Sequence, residues 1–528
     1  MGETIDQIIK QHAIKHGERI ALVDGQRNWC YVELDRNCDA FAAGLVRLNL
    51  QPNDRVAVYL PKQLETVAGL FGAARAGGVF VPINPVLKAA QVQYVLKNSG
   101  SRYLVTSFQR LKAILGQLSE CPDLDYIILV DYPPEDEIDG LSAPHLHLVN
   151  WREMTQSKKA DALTIQRKPE HIAALLYTSG STGLPKGVMI SHQNLMVGAE
   201  SVSGYLNYRT DERVLAVLPL SFDYGLSQLT TCFYVGATAV LLNHLFPNDV
   251  IKAIEKHDIT GLAAVPPLWH QLLNLNWPES IKKTLRFATN SGGHMPPSLI
   301  NQLQEKVPDI NFYAMYGLTE AFRSTYLPPD MMDQKMGSMG KAIPYADVRV
   351  VDDEGNPCAD GVEGQLVHGG PLVTMGYWQD KARTNERFKP LVSEGDALWV
   401  WSGDTVRRDE DGYFYFVGRD DEMIKSSGYR ISPLEVEACL SHYQGVSMAM
   451  ALGVADDALG QKVVLLVSSS GTEEKNDQML LSHLKRELPA YMVPQDIVWI
   501  DEVPLNANGK IDRSLLKEIY YSRYVGLA

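Results

Sequence analysis

"LYTSGSTGLPKGVMISH", residues 176–192, sets Gly180, Gly183 and Gly187 among Thr178, Ser179, Ser181 and Thr182 and carries Lys186 near its end. The apolar run ahead of it, "AALLY", reads as a strand. Glycines let a backbone approach a bound anion closely, and a lysine beside them supplies a point charge, so the stretch is predicted to hold phosphate. The generic P-loop pattern, G-x-x-x-x-G-K-[ST], nevertheless fails in two places. Counted from Gly180, Pro185 stands where the second glycine belongs, and Gly187 stands where a hydroxyl would hold magnesium. The loop alone leaves open whether a bound nucleotide is cut at its γ-phosphate or attacked nearer the base.

Outward from the loop the chain alternates. Helix-period apolar patterns over 4–16 and 31–49 flank "RIALVDG". Strand signals then recur as "DRVAVYLPK", "GGVFVPINP", "RYLVTS", "DYIILVD", "RVLAVLPLS", "ATAVLL" and "ITGLAAVPP", with helical stretches between them. This alternation predicts an α/β fold of mainly parallel sheets layered by helices. From about residue 340, short strands and Gly-rich turns such as "DGYFYFVG" predict a small antiparallel β module. "GRDDEMIKSSGYRISPLEVEACL", 418–440, is polar and then opens a helix at Ser432-Pro433, read as N-cap and first helical residue. The boundary placed there gives a core over 1–419 and a small α+β domain over 420–528.

A chain of 528 residues exceeds the size at which one hydrophobic core stops growing, and 45% hydrophobic with 21% charged residues is a globular composition. Forty-nine basic against 63 acidic residues give a formal charge of −14, which repels nucleic acid and anionic membranes at long range, so neither is expected as a partner. Cys30, Cys38, Cys121, Cys232, Cys358 and Cys439 form no C-x-x-C pair and are expected to be reduced thiols. The N-terminus has no apolar signal core, and Asp6 stands where a myristoylation motif wants Ser or Thr. No apolar run of about 18 residues is present to span a bilayer. A cytoplasmic protein is expected.

Three further motifs share the chain with the loop: "AMYGLTEAF" (314–322), "WSGDTVRRDEDGYFYFVGRDDEMIKSSGYR" (401–430) and "VPLNANGKIDR" (503–513). In order and spacing the four resemble the core motifs of the adenylate-forming superfamily of acyl-CoA synthetases, nonribosomal adenylation domains and luciferases, over about residues 10–515. The resemblance implies a large core, a hinge and a small mobile lid that alternates between two half-reactions. It implies that a substrate carboxylate attacks the α-phosphate of ATP, with Mg²⁺, and that the acyl group then passes to a thiol. No general base is needed, because an ionised carboxylate is already a nucleophile.

Role by role, the resemblance assigns the β- and γ-phosphates to Thr178 through Lys186, including Ser179, Gly180, Ser181, Thr182 and Gly183. Glu320 matches a magnesium-linked carboxylate, Thr319 a phosphate contact, and Tyr316 with Gly317 the wall against adenine. Asp404 matches the carboxylate that takes the ribose hydroxyls and Arg419 a second ribose or phosphate contact. Lys510 matches the lid lysine that bridges carboxylate and α-phosphate, with Asn506 where the family usually has Thr. Asp421 matches the hinge, and Ser427 with Gly428 lie beside the thiol tunnel. Read singly, "YGLTE" is a helix start, Asp404 a turn aspartate, and Asn508-Gly509 a type I′ turn with an exposed lysine.

The acid pocket is less determined. Acyl- and aryl-CoA synthetases commonly read "LPLFH" where this chain reads "LPLSFD", with Phe222 at the histidine position and Asp223 after it. "FD" resembles the amino-acid-activating branch, where the aspartate meets the substrate's ammonium; equally, Asp223 caps a helix starting at Tyr224. The surrounding run also looks like exosortase-associated AMP-forming ligases and like enzymes that load β-amino acids onto carrier proteins. Trp269, Asn290, Ser291 and Gly292 match pocket segments, although Trp269 fits a core equally well. No phosphopantetheine-bearing segment follows Arg513, so the acceptor is expected to be free CoA or a separate carrier protein. A non-amino acyl- or aryl-CoA ligase is the alternative. A luciferase-like oxygenase and a non-catalytic nucleotide-binding protein are remoter ones.

Overall fold

Strands rich in Val, Ile, Leu and Ala assemble into two large sheets. The computed structural model describes residues 4–134, 146–156, 167–178, 185–293, 295–392, 395–419, 422–426, 429–441, 443–456, 459–469, 475–488 and 490–522. One sheet runs, in spatial order, Lys341–Ala342, Thr325–Leu327, Asn311–Tyr316, Phe287–Asn290, Gly261–Ala264, Arg213–Ala216, Thr238–Leu241, Ile20–Asp24, Arg27–Cys30. From Asn311–Tyr316 to Ile20–Asp24 its pairs are parallel, and both margins close with antiparallel pairs. Helices cover its faces, which is why its strands are continuously apolar rather than alternating.

The other large sheet runs His147–Asn150, Tyr126–Leu129, Ser101–Thr106, Arg55–Tyr59, Val79–Pro82, Ile172–Thr178, Lys186–Ser191. Its last pair is antiparallel, with Thr178 opposite Lys186. The stretch that opened the sequence reading is therefore strand, loop, strand. A Walker-type loop instead leads into a helix whose N-terminus faces the phosphates, so the failed pattern at Pro185 and Gly187 has a topological reason. The next helix, His192–Tyr205, begins only after the returning strand, capped by Ser191, whose Oγ accepts from the Asn194 N–H at 3.0 Å.

The expected antiparallel module is present as Asp347–Val351, Glu363–Gly369, Leu398–Arg408, Phe388–Pro390 and Phe414–Arg419. A fourth sheet, Tyr429–Ile431, Ile424–Ser426, Gly460–Ser469, Val446–Asp456 and Asp496–Ile500, buries apolar clusters drawn only from residues 424 onward, around Ile424, Leu465 and Leu484 on one face and Val464, Leu466 and Leu516 on the other. Ser432 does stand ahead of the helix Pro433–Ala438, but it makes no cap bond. Its hydroxyl donates instead to the Val417 carbonyl, tying that helix to the last strand of the antiparallel module. Among the described residues, no helix is long and apolar enough to cross a membrane.

Candidate functional site

The strands Phe287–Asn290 and Asn311–Tyr316 end at a cleft of about 2940 Å³ lined from Thr178 in the large sheets to Tyr521 near the C-terminus. Ligands of open α/β sheets bind at such strand ends. Tyr316 donates its hydroxyl to Asp404 Oδ2 and lies nearly parallel to the buried His368 ring, with centroids 6.1 Å apart. Asp404 pairs in register with Arg419 of the adjacent strand, and Arg419 Nε stands 3.5 Å from its Oδ1. Burial and the neighbouring carboxylate push the Tyr316 hydroxyl's pKa well above its ordinary value, so it remains a donor. Gly317 lines the cleft beside this pair.

"YGLTE" is not an ordinary helix start. Thr319–Ala321 is a single 3₁₀ turn, ended by Phe322 at φ +52°, which is wholly buried. The turn leaves Thr319 and Glu320 lining the cleft and sends Arg323 into the interior. Glu320 Oε1 accepts from the Tyr377 hydroxyl at 2.7 Å, and Lys186 Nζ lies 5.2 Å from the centroid of the same tyrosine ring. Burial lowers the Lys186 pKa, nearby Arg383 lowers it further, and Glu320 opposes both. Thr178 and Lys186, the described ends of the glycine-rich loop, thus face Glu320 across the cleft.

Lys510 reaches this cleft from the opposite side. Its loop is closed by Asn506, whose Oδ1 accepts from the Asn508 and Lys510 N–H groups at 2.9 and 3.1 Å, a job that Asn performs well. Gly509 alone takes positive φ, +79°, so the turn is not type I′, which needs it at two residues. Nor is the lysine at an exposed tip. Its Nζ lies 4.6 Å from the Phe222 ring centroid, and a Cβ added to Gly292 (φ +81°) would sit 2.6 Å from its Cε. Desolvation lowers the Lys510 pKa, partly offset by Asp223. Asn84 Nδ2 donates to the Ala507 carbonyl at 2.7 Å, docking the loop on the large sheet.

Around Phe222 and Gly292 the remaining pocket residues divide. Asn290 lines the cleft, donates to the Gly293 carbonyl at 3.0 Å and keeps a buried Oδ1 without a hydrogen-bond partner. Ser291 is buried and stands behind the lining. Trp269 is core: it is 0% exposed, gives its indole N–H to the Thr289 carbonyl at 3.2 Å and packs edge-on against Phe312. Asp223 is not a cap. The helix Asp223–Val235 begins at it, Phe222 holds the N-cap position, and the carboxylate instead accepts from Thr319 Oγ1 at 3.2 Å. Burial raises the Asp223 pKa, opposed by Arg323, then Lys510, then the Thr319 bond.

Ser179, Gly180, Ser181, Thr182, Gly183, Asp421, Ser427 and Gly428 lie outside the described residues. Among the residues that sequence reasoning passed over are Tyr377, Asn84, Arg323, Arg383 and Arg387. Arg323 sat unremarked three residues after Glu320; the others carry no local pattern and reach the cleft or its loop only through tertiary packing. Among the described residues, no group of three or more His, Cys, Asp or Glu is placed to cage a metal. A lone carboxylate beside a polyphosphate suits magnesium, which retains water and takes phosphate oxygens as ligands.

The fold and this cleft are shared with known proteins. The family model for AMP-binding enzymes matches residues 9–378, and that for the AMP-binding enzyme C-terminal domain matches 435–510. The chain is 29% identical over 98% of its length to tyrocidine synthase 3 of Brevibacillus parabrevis, of which it spans 8%. It is 27% identical to a long-chain-fatty-acid–CoA ligase of Salmonella typhimurium, covering 98% of this chain and 94% of that one. Its structure superposes on the o-succinylbenzoate CoA synthetase of Bacillus subtilis holding an acyl-adenylate, with TM-score 0.80, 25% identity and 98% of each chain covered. It also shares its fold with an anthranilate CoA ligase, at TM-score 0.87, 23% identity and coverage of 98% and 97%. The chain belongs to the AMP-binding enzymes.

Proposed function

We propose that this enzyme is an AMP-forming acid–thiol ligase: a carboxylate displaces pyrophosphate from ATP to give an acyl-adenylate, and a thiol then takes the acyl group and releases AMP. The observation that carries the reading is Lys510, a cation set among Phe222, Gly292 and Asp223 in the cleft that also holds the Tyr316–Asp404 pair. Two anions, acid and α-phosphate, repel one another, and a fixed cation between them offsets charge where it develops. Alignment supplies the rest.

In this reading Tyr316 and Gly317 flank adenine, Asp404 accepts from the ribose hydroxyls, and Arg419 holds that carboxylate in place. Thr178, the loop over 179–183 and Lys186 hold the β- and γ-phosphates. Glu320 is the carboxylate for magnesium, which would neutralise phosphate charge when bound; Thr319 sits beside it. Residues 1–419 form the core and 420–528 a lid that swings at Asp421, because Lys510 in the cleft blocks the thiol's approach. Ser427 and Gly428 then border the thiol's path, from CoA or from the phosphopantetheine of a separate carrier protein.

The acid proposed is a small α- or β-amino acid, its ammonium set against Asp223, with Phe222, Asn290 and Gly292 bounding the pocket. Asp223's burial with a single hydrogen bond supports this, since a buried carboxylate accepts several bonds when fully satisfied. A plain acyl or aryl acid is the second reading, favoured by the nearness of Arg323 and Lys510, which already supply cations to Asp223. ATP–pyrophosphate exchange over pairs of amino acids and their deamino analogues separates them. Exchange confined to the amines establishes the first, exchange with the plain acids the second, and ADP in place of AMP rejects the ligase reading altogether.

A further inference from the structure

Arg323 is 3% exposed, yet its Nε has no hydrogen-bond partner, and its guanidinium makes no ion pair within 4.0 Å of any described residue. Its contact is the face of Tyr224, 4.4 Å from guanidinium carbon to ring centroid. Tyr224 is held in turn by its hydroxyl at 2.5 Å from Thr289 Oγ1. The residue before Tyr224 is Asp223. An unpaired guanidinium in a protein interior is costly, and a cation–π contact recovers only part of that cost. It persists where a nearby charge needs it.

Resting on the ligase reading, we propose that Arg323 is the positioning residue for Asp223. From behind Tyr224 it supplies the counter-charge that keeps the carboxylate an anion, without claiming the oxygens that a direct salt bridge would occupy. Thr319 orients one of those oxygens, at 3.2 Å. What remains of the carboxylate is left for a hydrogen-bond donor on the acid, an ammonium before all, so a residue that never touches substrate sets the preference for amines. Lys510 and Glu320 also act on Asp223, but their charges oppose one another, whereas Arg323 is the largest attractive influence on it. Tyr205 and Tyr224, the other titratable groups about Arg323, stay neutral because burial raises both.

The test compares Arg323→Met, Arg323→Lys and Asp223→Asn with the unaltered full-length enzyme by ATP–pyrophosphate exchange. Each is assayed with the preferred amino acid and with its deamino analogue. The expected result is a KM for the amino acid raised about tenfold or more in Arg323→Met, with kcat and the KM for ATP within about twofold. Recovery in Arg323→Lys and an equal effect in Asp223→Asn complete the expectation. A fall in kcat with unchanged acid KM, or no rescue by lysine, overturns it. Should Arg323→Met fail to fold, Arg323→Lys against Asp223→Asn decides alone: retained amine preference in the first and loss in the second support the proposal, and loss in both refutes it. Exchange by the unaltered enzyme with plain acids as readily as with amines overturns the positioning role while leaving the ligase reading intact, whereas absence of all exchange removes that reading itself.

Discussion

Two carboxylates in this cleft are buried to the same degree and held in opposite ways. Asp404, 6% exposed, receives a hydroxyl from Tyr316 and faces Arg419 across a strand pair at 3.5 Å. Asp223, 5% exposed, receives one bond from Thr319, and its cations stand off at a distance. A direct pair fixes geometry, which suits a site that must always read the same ribose. A stand-off pair fixes charge and leaves geometry to the ligand, which suits the site that must read the acid. The contrast teaches that burial alone does not assign a role; the manner of compensation does.

The sharpest way to break this comparison is to remove the cation both reactants share. Lys510→Ala is expected to slow adenylation about 10²–10³-fold, the loss seen when one preorganised transition-state donor is deleted. A chemically supplied acyl-adenylate should still pass to the thiol. Exchange kinetics and single-turnover transfer check the two halves, and equal loss in both refutes the role. Next in size, Asp404→Asn should raise the KM for ATP about 10-fold or more, since hydrogen bonds to a charged group carry about 1.5–3 kcal/mol. Asp223→Asn should leave that constant within about twofold. An ATP effect at Asp223 would mean the two carboxylates do not serve different ligands.

Legibility in the sequence follows the same division. The parallel strands, the antiparallel module and the last sheet all announced themselves through periodicity. Tyr316, Glu320, Asp404 and Lys510 announced themselves through motifs, because a nucleotide imposes the same demands wherever it is bound. What was not legible depended on packing between distant segments. Ser432 looked like a cap and bonds to Val417 instead. Asp223 fitted a cap, but the helix starts one residue earlier and the side chain turns to Thr319, nearly a hundred residues away. Trp269 stood one turn from pocket residues and faces the core. Arg323 carries no motif signal because its meaning lies in an interaction it does not make directly.

A smaller effect tests the charge on Lys510. Burial lowers its pKa, so the cation is lost at a lower pH than for a free lysine near 10.5. Adenylation needs the protonated form; its rate should therefore fall on the alkaline side, about tenfold per pH unit once past that pKa, while thiol transfer from supplied adenylate should not follow that limb. Lys510→Arg, which stays charged, should move the limb out of range. A limb that persists unchanged in that variant belongs to another group.

The smallest expected effect concerns the docking of the lid loop rather than either carboxylate. Asn84 gives one hydrogen bond to Ala507, at 2.7 Å, and that bond closes the cleft over both sites together. A single neutral hydrogen bond is worth about 0.5–1.5 kcal/mol, so Asn84→Ala should shift the lid toward its open position about 2- to 10-fold and slow adenylation by no more than that. Neither the KM for ATP nor the preference between amine and deamino acid should change ratio, because both carboxylates lose the same lid. If the preference alone moved, the loop would be contacting the acid directly, and the stand-off arrangement around Asp223 would have a third cation-bearing partner whose position depends on the lid. Since a lid that swings must be held weakly, a one-bond dock is the strength such a motion requires, and a much larger loss would mean the closed position is the resting state rather than one of two.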